Sequence, residues 1–247
     1  MEKFFGENYT GEPFEIFSTA HINAISVIFF CCIMIYLFNN KLKKEKVNLY
    51  FRYSFALILI FVKIIYYIWL YVNNLWSFSE GLPLHLCEAA VILSIILLLS
   101  KSYFLYEFLY FWTICGVLSA IITPELNGYN SHHFIFYHFF ISHGLVVMAI
   151  MFMTFVNGYQ PRAFSILKSM LISNVYMFFV AIVNILTGGN YLFICKKPKV
   201  PSIMDFLGPW PWYIFSLELV ALVGFSIAYL PFKIRLKLKK SHAKKDM

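Results

Sequence analysis

Seven runs of mainly apolar residues, each near the length of a membrane crossing, limit what this chain can fold into. They cover residues 20–38, 51–72, 84–99, 103–122, 133–153, 164–186 and 212–231. A helix of about 20 apolar residues crosses the hydrocarbon core. Inside a bilayer no water satisfies backbone N–H and C=O groups, so spanning segments must be helices or closed barrels. Continuous apolar runs of this length, without polar alternation, select helices. The expected fold class is all-α: a polytopic integral membrane helix bundle of about seven transmembrane helices. Residues 1–247 are expected to form a single multi-pass domain.

Composition agrees. The chain is 61% hydrophobic and 13% charged, against roughly 45–50% and about 25% in soluble domains. Its formal charge of +8 does not point to nucleic acid, because the basic residues crowd into two stretches beside apolar runs. There they set orientation and attract anionic lipid. Lys41, Lys43, Lys44, Lys46 and Arg52 mark the first loop as cytoplasmic. Lys233, Arg235, Lys237, Lys239, Lys240, Lys244 and Lys245 do the same for the C-terminal tail. Seven crossings then put the N-terminus outside; Lys196, Lys197 and Lys199 run against this scheme. The residues before the first run are acidic (Glu2, Glu7, Glu12, Glu15), the reverse of a signal-peptide n-region. The first crossing is therefore expected to stay in a multi-pass protein of the cell membrane, with membrane lipids as its partners.

Ionisable groups within apolar segments are costly and mark functional sites by default. His85, Cys87 and Glu88 open the third run, and His132, His133, His138 and His143 open or lie within the fifth. Under the expected orientation all lie toward one face, with Asn184 at the end of the sixth run and Asp205 in the last outer loop. Cys87, near a helix N-terminus that favours its thiolate, is a candidate nucleophile. His143 is its candidate base, because His85 lies two residues away and points to another helix face. A packing role for both is the bland alternative. A metal site is the second reading, although no two of the four histidines share the i, i+4 spacing that lets one helix supply two ligands. No cofactor is implied. Lys63, midway through the second run, needs a carboxylate partner, with Glu88 and Glu218 at comparable depth. Glu107 and Lys101 are expected at the inner interface. Gly188 reads as a left-handed helix terminus, and Gly116 and Gly144 as points of close helix approach.

Several segments together resemble a known group: Phe17-Ser18-Thr19-Ala20-His21, Leu82-Pro83-Leu84-His85-Leu86-Cys87, Thr123-Pro124-Glu125-Leu126, Phe140-Ile141-Ser142-His143-Gly144, 190–198 and 207–213. The chain resembles the YwaF-type family of bacterial integral membrane proteins, related to transmembrane protein 164 of animals. The resemblance implies a multi-helix membrane fold and, through the animal relative, a phospholipid acyltransferase using Cys87 and His143. It implies a phospholipid substrate. His85, His138, Asn184, Glu88 and Lys63 are the expected orienting or substrate-binding residues. The competing expectation is a non-enzymatic transporter or ligand-binding membrane protein built around the same polar cavity.

Overall fold

The computed structural model describes residues 2–7, 9–198 and 203–245; Lys199 lies outside the described residues. The fold is helical, and no strand occurs among the described residues. Every expected run falls on a helix. The principal helices are α1 (Thr19–Leu37), α2 (Glu45–Val72), α3 (Leu86–Ser100), α4 (Tyr103–Ile122), α5 (Phe134–Phe155), α6 (Ala163–Thr187) and α7 (Trp212–Lys245). Six are long and apolar enough to cross a membrane, while α3 is a shorter apolar helix. Its 15 residues span about 22 Å, short of a core about 30 Å thick.

Burial divides the bundle into a packed centre and a lipid-facing shell. α5 lies at the centre, against α1, α2, α3 and α4, and carries a dense run of buried residues from Ser142 to Ile150. α6 and α7 pack against α4 and each other at the periphery. Phe29, Phe30, Leu57, Phe61, Leu171, Phe178, Ile185 and Leu219 are exposed. A water-soluble protein rarely leaves so large an apolar surface uncovered, whereas acyl chains solvate it.

Two glycines set the closest approaches. A Cβ at Gly144 of α5 would meet Ile28 of α1 at 2.8 Å, and one at Gly116 would meet Leu86, the first residue of α3, at 2.7 Å. Gly116 lies in a π-helical segment of α4, Trp112–Val117. Such segments re-aim side chains within a helix and recur at functional sites.

One expectation is corrected. Arg52 is not a loop cation: α2 begins at Glu45, so Arg52 lies within the helix and is buried. Its guanidinium donates to the carbonyls of Leu98 and Leu99 at the end of α3, and to Asn48 Oδ1 at 3.0 Å. The last carbonyls of a helix have no intrahelical partner, and a cation is favoured there by the helix dipole. Replacing Arg52 by Met leaves them unsatisfied. We expect a loss of about 2 kcal/mol, the usual scale for an orphaned buried acceptor, read as a lowered unfolding temperature in detergent. Gly144→Val forces α1 and α5 apart and should cost about 1–3 kcal/mol in the same assay.

Candidate functional site

The site arises where α2, α3 and α5 meet. α2 and α5 run antiparallel, and paired side chains fix their register. Asn48 donates to Asn157 Oδ1 at 2.7 Å. Phe51 stacks on Phe152 with ring centroids 4.4 Å apart, and Tyr66 stacks on His138 at 4.2 Å. Trp69 meets His133 edge-on at 5.9 Å. This register sets Lys63, one turn below Tyr66, level with the stretch of α5 around His143.

Lys63 is buried and forms an ion pair with Glu88 of α3. Of the two acids at comparable depth, Glu88 is therefore the partner. Glu218 instead accepts from Asn174 at 2.9 Å. The rings of Tyr66 and Tyr67 lie 5.1 and 5.2 Å from the ammonium, and their faces add cation–π attraction. Lys63 sits about 13 Å below the Val72 end of α2 at 1.5 Å per residue. Glu88 belongs to the first turn of α3. The pair thus draws the start of α3 deep into the bundle.

The connection from α2 to α3 is fastened to match. The Tyr191 hydroxyl donates to the Phe78 carbonyl and accepts from Leu82 N–H, both at 2.9 Å, and Tyr176 donates to the Leu84 carbonyl at 2.9 Å. Tyr191 is itself clamped by Asn184, whose amide oxygen accepts from Tyr191 N–H at 2.8 Å and whose NH2 donates to its carbonyl at 3.0 Å. Asn184 therefore spends its amide on anchoring this loop. His85 occupies the N-cap position of α3, packed against the rings of Tyr191 and Phe193, without a side-chain capping bond. The amides of Leu86, Cys87 and Glu88 make no hydrogen bond among the described residues, as the first amides of a helix have no intrahelical partner.

Cys87 is half-buried and packs against the core. It shares a helical stripe with Val91, Ser94 and Leu98, all buried, so its side chain leaves α3 on an inward face. Cys87 and His143 lie on neighbouring helices, and no hydrogen bond joins them among the described residues. All five cysteines are free thiols.

The histidines fall into two groups by their hydrogen bonds. His21 donates from Nε2 to the Ile121 carbonyl at 2.9 Å and accepts from Phe17 N–H at Nδ1. His133 donates from Nε2 to the Gly6 carbonyl at 3.0 Å and accepts from Ile135 N–H. Both rings are fully engaged and act as fasteners. His143 places Nδ1 2.8 Å from the Phe139 carbonyl. A ring nitrogen facing a carbonyl carries the proton, so Nε2 is the basic nitrogen, and it makes no hydrogen bond among the described residues. His138 Nε2 is buried without a hydrogen-bond partner, as are Ser94 Oγ and Thr113 Oγ1. His132 is exposed beside Asn130.

The remaining acid lies near the start of α4, close in sequence to Lys101. Glu107 is buried, accepting from Ser165 at 2.6 Å and pairing with Lys168 at 2.5 Å. Among the described residues no three His, Cys, Asp or Glu side chains gather as a metal-binding group. Tyr66, Tyr191, Ser94 and Thr113 were not legible as site residues. Aromatic and hydroxyl residues inside apolar runs carry no signal of their own until the packing is known.

Together these contacts define a class: a multi-pass helical membrane protein with a cluster of polar side chains where three central helices meet. Comparison with known proteins narrows the class to a family. The TMEM164 family profile matches residues 16–229, and the chain belongs to that family. It is also similar to an uncharacterized protein of Treponema pallidum (strain Nichols), 26% identical over 164 residues, a match covering 64% of this chain and 64% of that protein. No solved structure matches.

The ion pair gives a direct test. Glu88→Gln strands a buried ammonium and is expected to cost about 3–5 kcal/mol, and Lys63→Met strands a partly exposed carboxylate at a smaller cost of about 1–3 kcal/mol. The double variant Lys63→Met, Glu88→Met removes both charges and should recover most of that loss. A thermal-unfolding cycle in detergent measures the coupling, and additive losses would show that the two charges do not depend on each other.

Proposed function

We propose that this protein is a thiol-dependent acyltransferase or hydrolase acting on membrane phospholipids, with Cys87 as nucleophile and His143 as base. The observation that carries the reading is the depth of the α3 N-terminus. Cys87 sits in its first turn beside Glu88, which pairs with Lys63 well inside α2, and α3 packs against α5, the helix that carries His143. A thiol at a recessed helix start is placed to meet an ester carbonyl at the boundary where the acyl chain begins.

His143 Nε2 takes the Cys87 proton as the sulfur attacks the ester carbonyl. The uncapped amides of Leu86, Cys87 and Glu88 face the charge that develops on the carbonyl oxygen, supplying preorganised donors. Collapse of the adduct breaks the carbon–oxygen bond, leaves the acyl chain as a Cys87 thioester and returns the proton to the departing lysophospholipid oxygen. A second lysophospholipid hydroxyl, or water, then takes the acyl group by the reverse sequence. His138 lies beside the base on α5, and Lys63, Glu88 and Asn184 hold the geometry. His85 packs at the helix cap. The two basic segments favour a cytoplasmic C-terminus in the cell membrane, which puts Cys87 on the outer-leaflet side.

Membranes carrying the protein are incubated with acyl-labelled phospholipid and assayed for protein-bound label released by hydroxylamine. Wild type should carry label and Cys87→Ala none. His143→Gln should slow labelling by about 10²–10⁴-fold, the usual contribution of general base catalysis. Equal labelling of wild type and Cys87→Ala would overturn the mechanism. The buried Lys63–Glu88 pair beside two imidazoles is also what a proton-coupled transporter would use. Substrate flux in vesicles that survives Cys87→Ala but not Glu88→Gln would favour that reading.

A further inference from the structure

At the basic end of the bundle, remote from Cys87, a second polar feature is independent of the proposed chemistry. An open cleft of about 480 Å³ is lined by Tyr103, Gln160, Arg162, Ala163, Tyr229 and Leu236. It lies where α4 begins, α6 begins and the basic part of α7 leaves the bundle. Arg162 is exposed and forms no ion pair among the described residues. Its guanidinium lies over the Tyr103 ring at 5.3 Å, which steadies its plane while leaving N–H donors for a ligand. The nearest acid, Glu107, is already paired with Lys168. The Tyr103 hydroxyl fixes the floor by donating to the Gln160 carbonyl at 2.7 Å.

Three features point to a phosphate. A planar guanidinium pairs with tetrahedral oxyanions in bidentate fashion. Arg162 occupies the N-cap of α6; its carbonyl takes the Ser165 amide, while the amides of Ala163 and Phe164 and the positive dipole end add to the same anion field. Lys233 stands one turn before Leu236 on the near stripe of α7, with Tyr229 a turn earlier, so a second cation overlooks the rim. Beside the cleft the surface turns apolar at once, through exposed Phe164, Leu167 and Leu171 on α6. A ligand filling it would hold a phosphate at the cleft and lay hydrocarbon along α6.

We propose that this cleft binds the headgroup of an anionic phospholipid, with Arg162 gripping the phosphodiester and acyl chains lying against α6. The excess of cations over carboxylates disfavours a zwitterionic headgroup, whose ammonium would face Arg162 and Lys233.

The full chain is purified in detergent and titrated with phosphatidylglycerol or phosphatidylcholine of matched chains, bound lipid being counted by native mass spectrometry. Phosphatidylglycerol should bind at least fivefold more tightly than phosphatidylcholine. Arg162→Gln should abolish that preference, and Leu236→Trp, which fills the cleft from an exposed helix face, should weaken binding without removing a charge. Lys46→Gln, which lowers net charge elsewhere, should bind as wild type. Inorganic phosphate at the lipid concentration should not compete; competition would assign a small-anion site instead. Equal affinity for the two lipids, or unchanged phosphatidylglycerol binding in both cleft variants, would overturn the assignment.

Discussion

An ammonium group in hydrocarbon must find an opposite charge or water, and the architecture of this bundle follows from how Lys63 meets that demand. Its partner is Glu88, in the first turn of a helix too short to cross the core unaided. Pairing the two fixes where α3 starts, and the loop from α2 must descend to reach it. The same helix supplies the second constraint: Arg52, three turns below Lys63 on α2, holds the terminal carbonyls of α3. α3 is therefore gripped at both ends by cations of one neighbour. Since lipid offers no hydrophobic drive between helices, such polar anchors and close packing at glycines must hold the centre together.

That arrangement explains why the polar groups of the site have unequal duties. A side chain whose hydrogen-bonding capacity is spent on backbone cannot also serve a substrate, and by this criterion His21, His133 and Asn184 are structural. His138 and His143 retain a free ring nitrogen, and the α3 amides retain free protons. Unsatisfied donors and acceptors in a low-dielectric interior are costly. His138 and His143, on the same helix, are therefore the groups of the junction with hydrogen-bonding capacity left over.

Much of the fold was legible because the apolar runs are long and the rule behind them is severe. What misled was local. Arg52 looked like a loop charge because a basic cluster precedes it in sequence, yet the helix starts at Glu45 and carries it inside. Lys63 announced itself as needing an acid, and depth counting narrowed the choice to Glu88 or Glu218. Nothing in sequence could decide between them, because that depends on which helices touch. Asn184 looked available to a substrate for the same reason: its partner Tyr191 lies beyond a glycine turn and is itself buried by a loop from elsewhere in the chain. The N-terminal segment, whose Phe5 and Gly6 carbonyls accept from Trp69 and His133, also gave no sign of sealing the ends of α2 and α5.

The two ends of the bundle are built for different tasks, and the distribution of charge makes the division physical. Where α2, α3 and α5 meet, one ion pair, Lys63–Glu88, lies recessed in the bundle, where its field is poorly screened and acts at short range. Toward the basic end, cations are exposed and numerous, and Arg162 stands without a carboxylate at the mouth of a cleft. A buried pair can shape reactivity but cannot recruit, because its field is spent internally. An exposed cationic rim can recruit anionic headgroups but, screened by water and salt within about 8–10 Å, cannot tune a distant nucleophile. Separating the two along the bundle lets one chain hold a lipid at its basic end without perturbing the ion pair between α2 and α3.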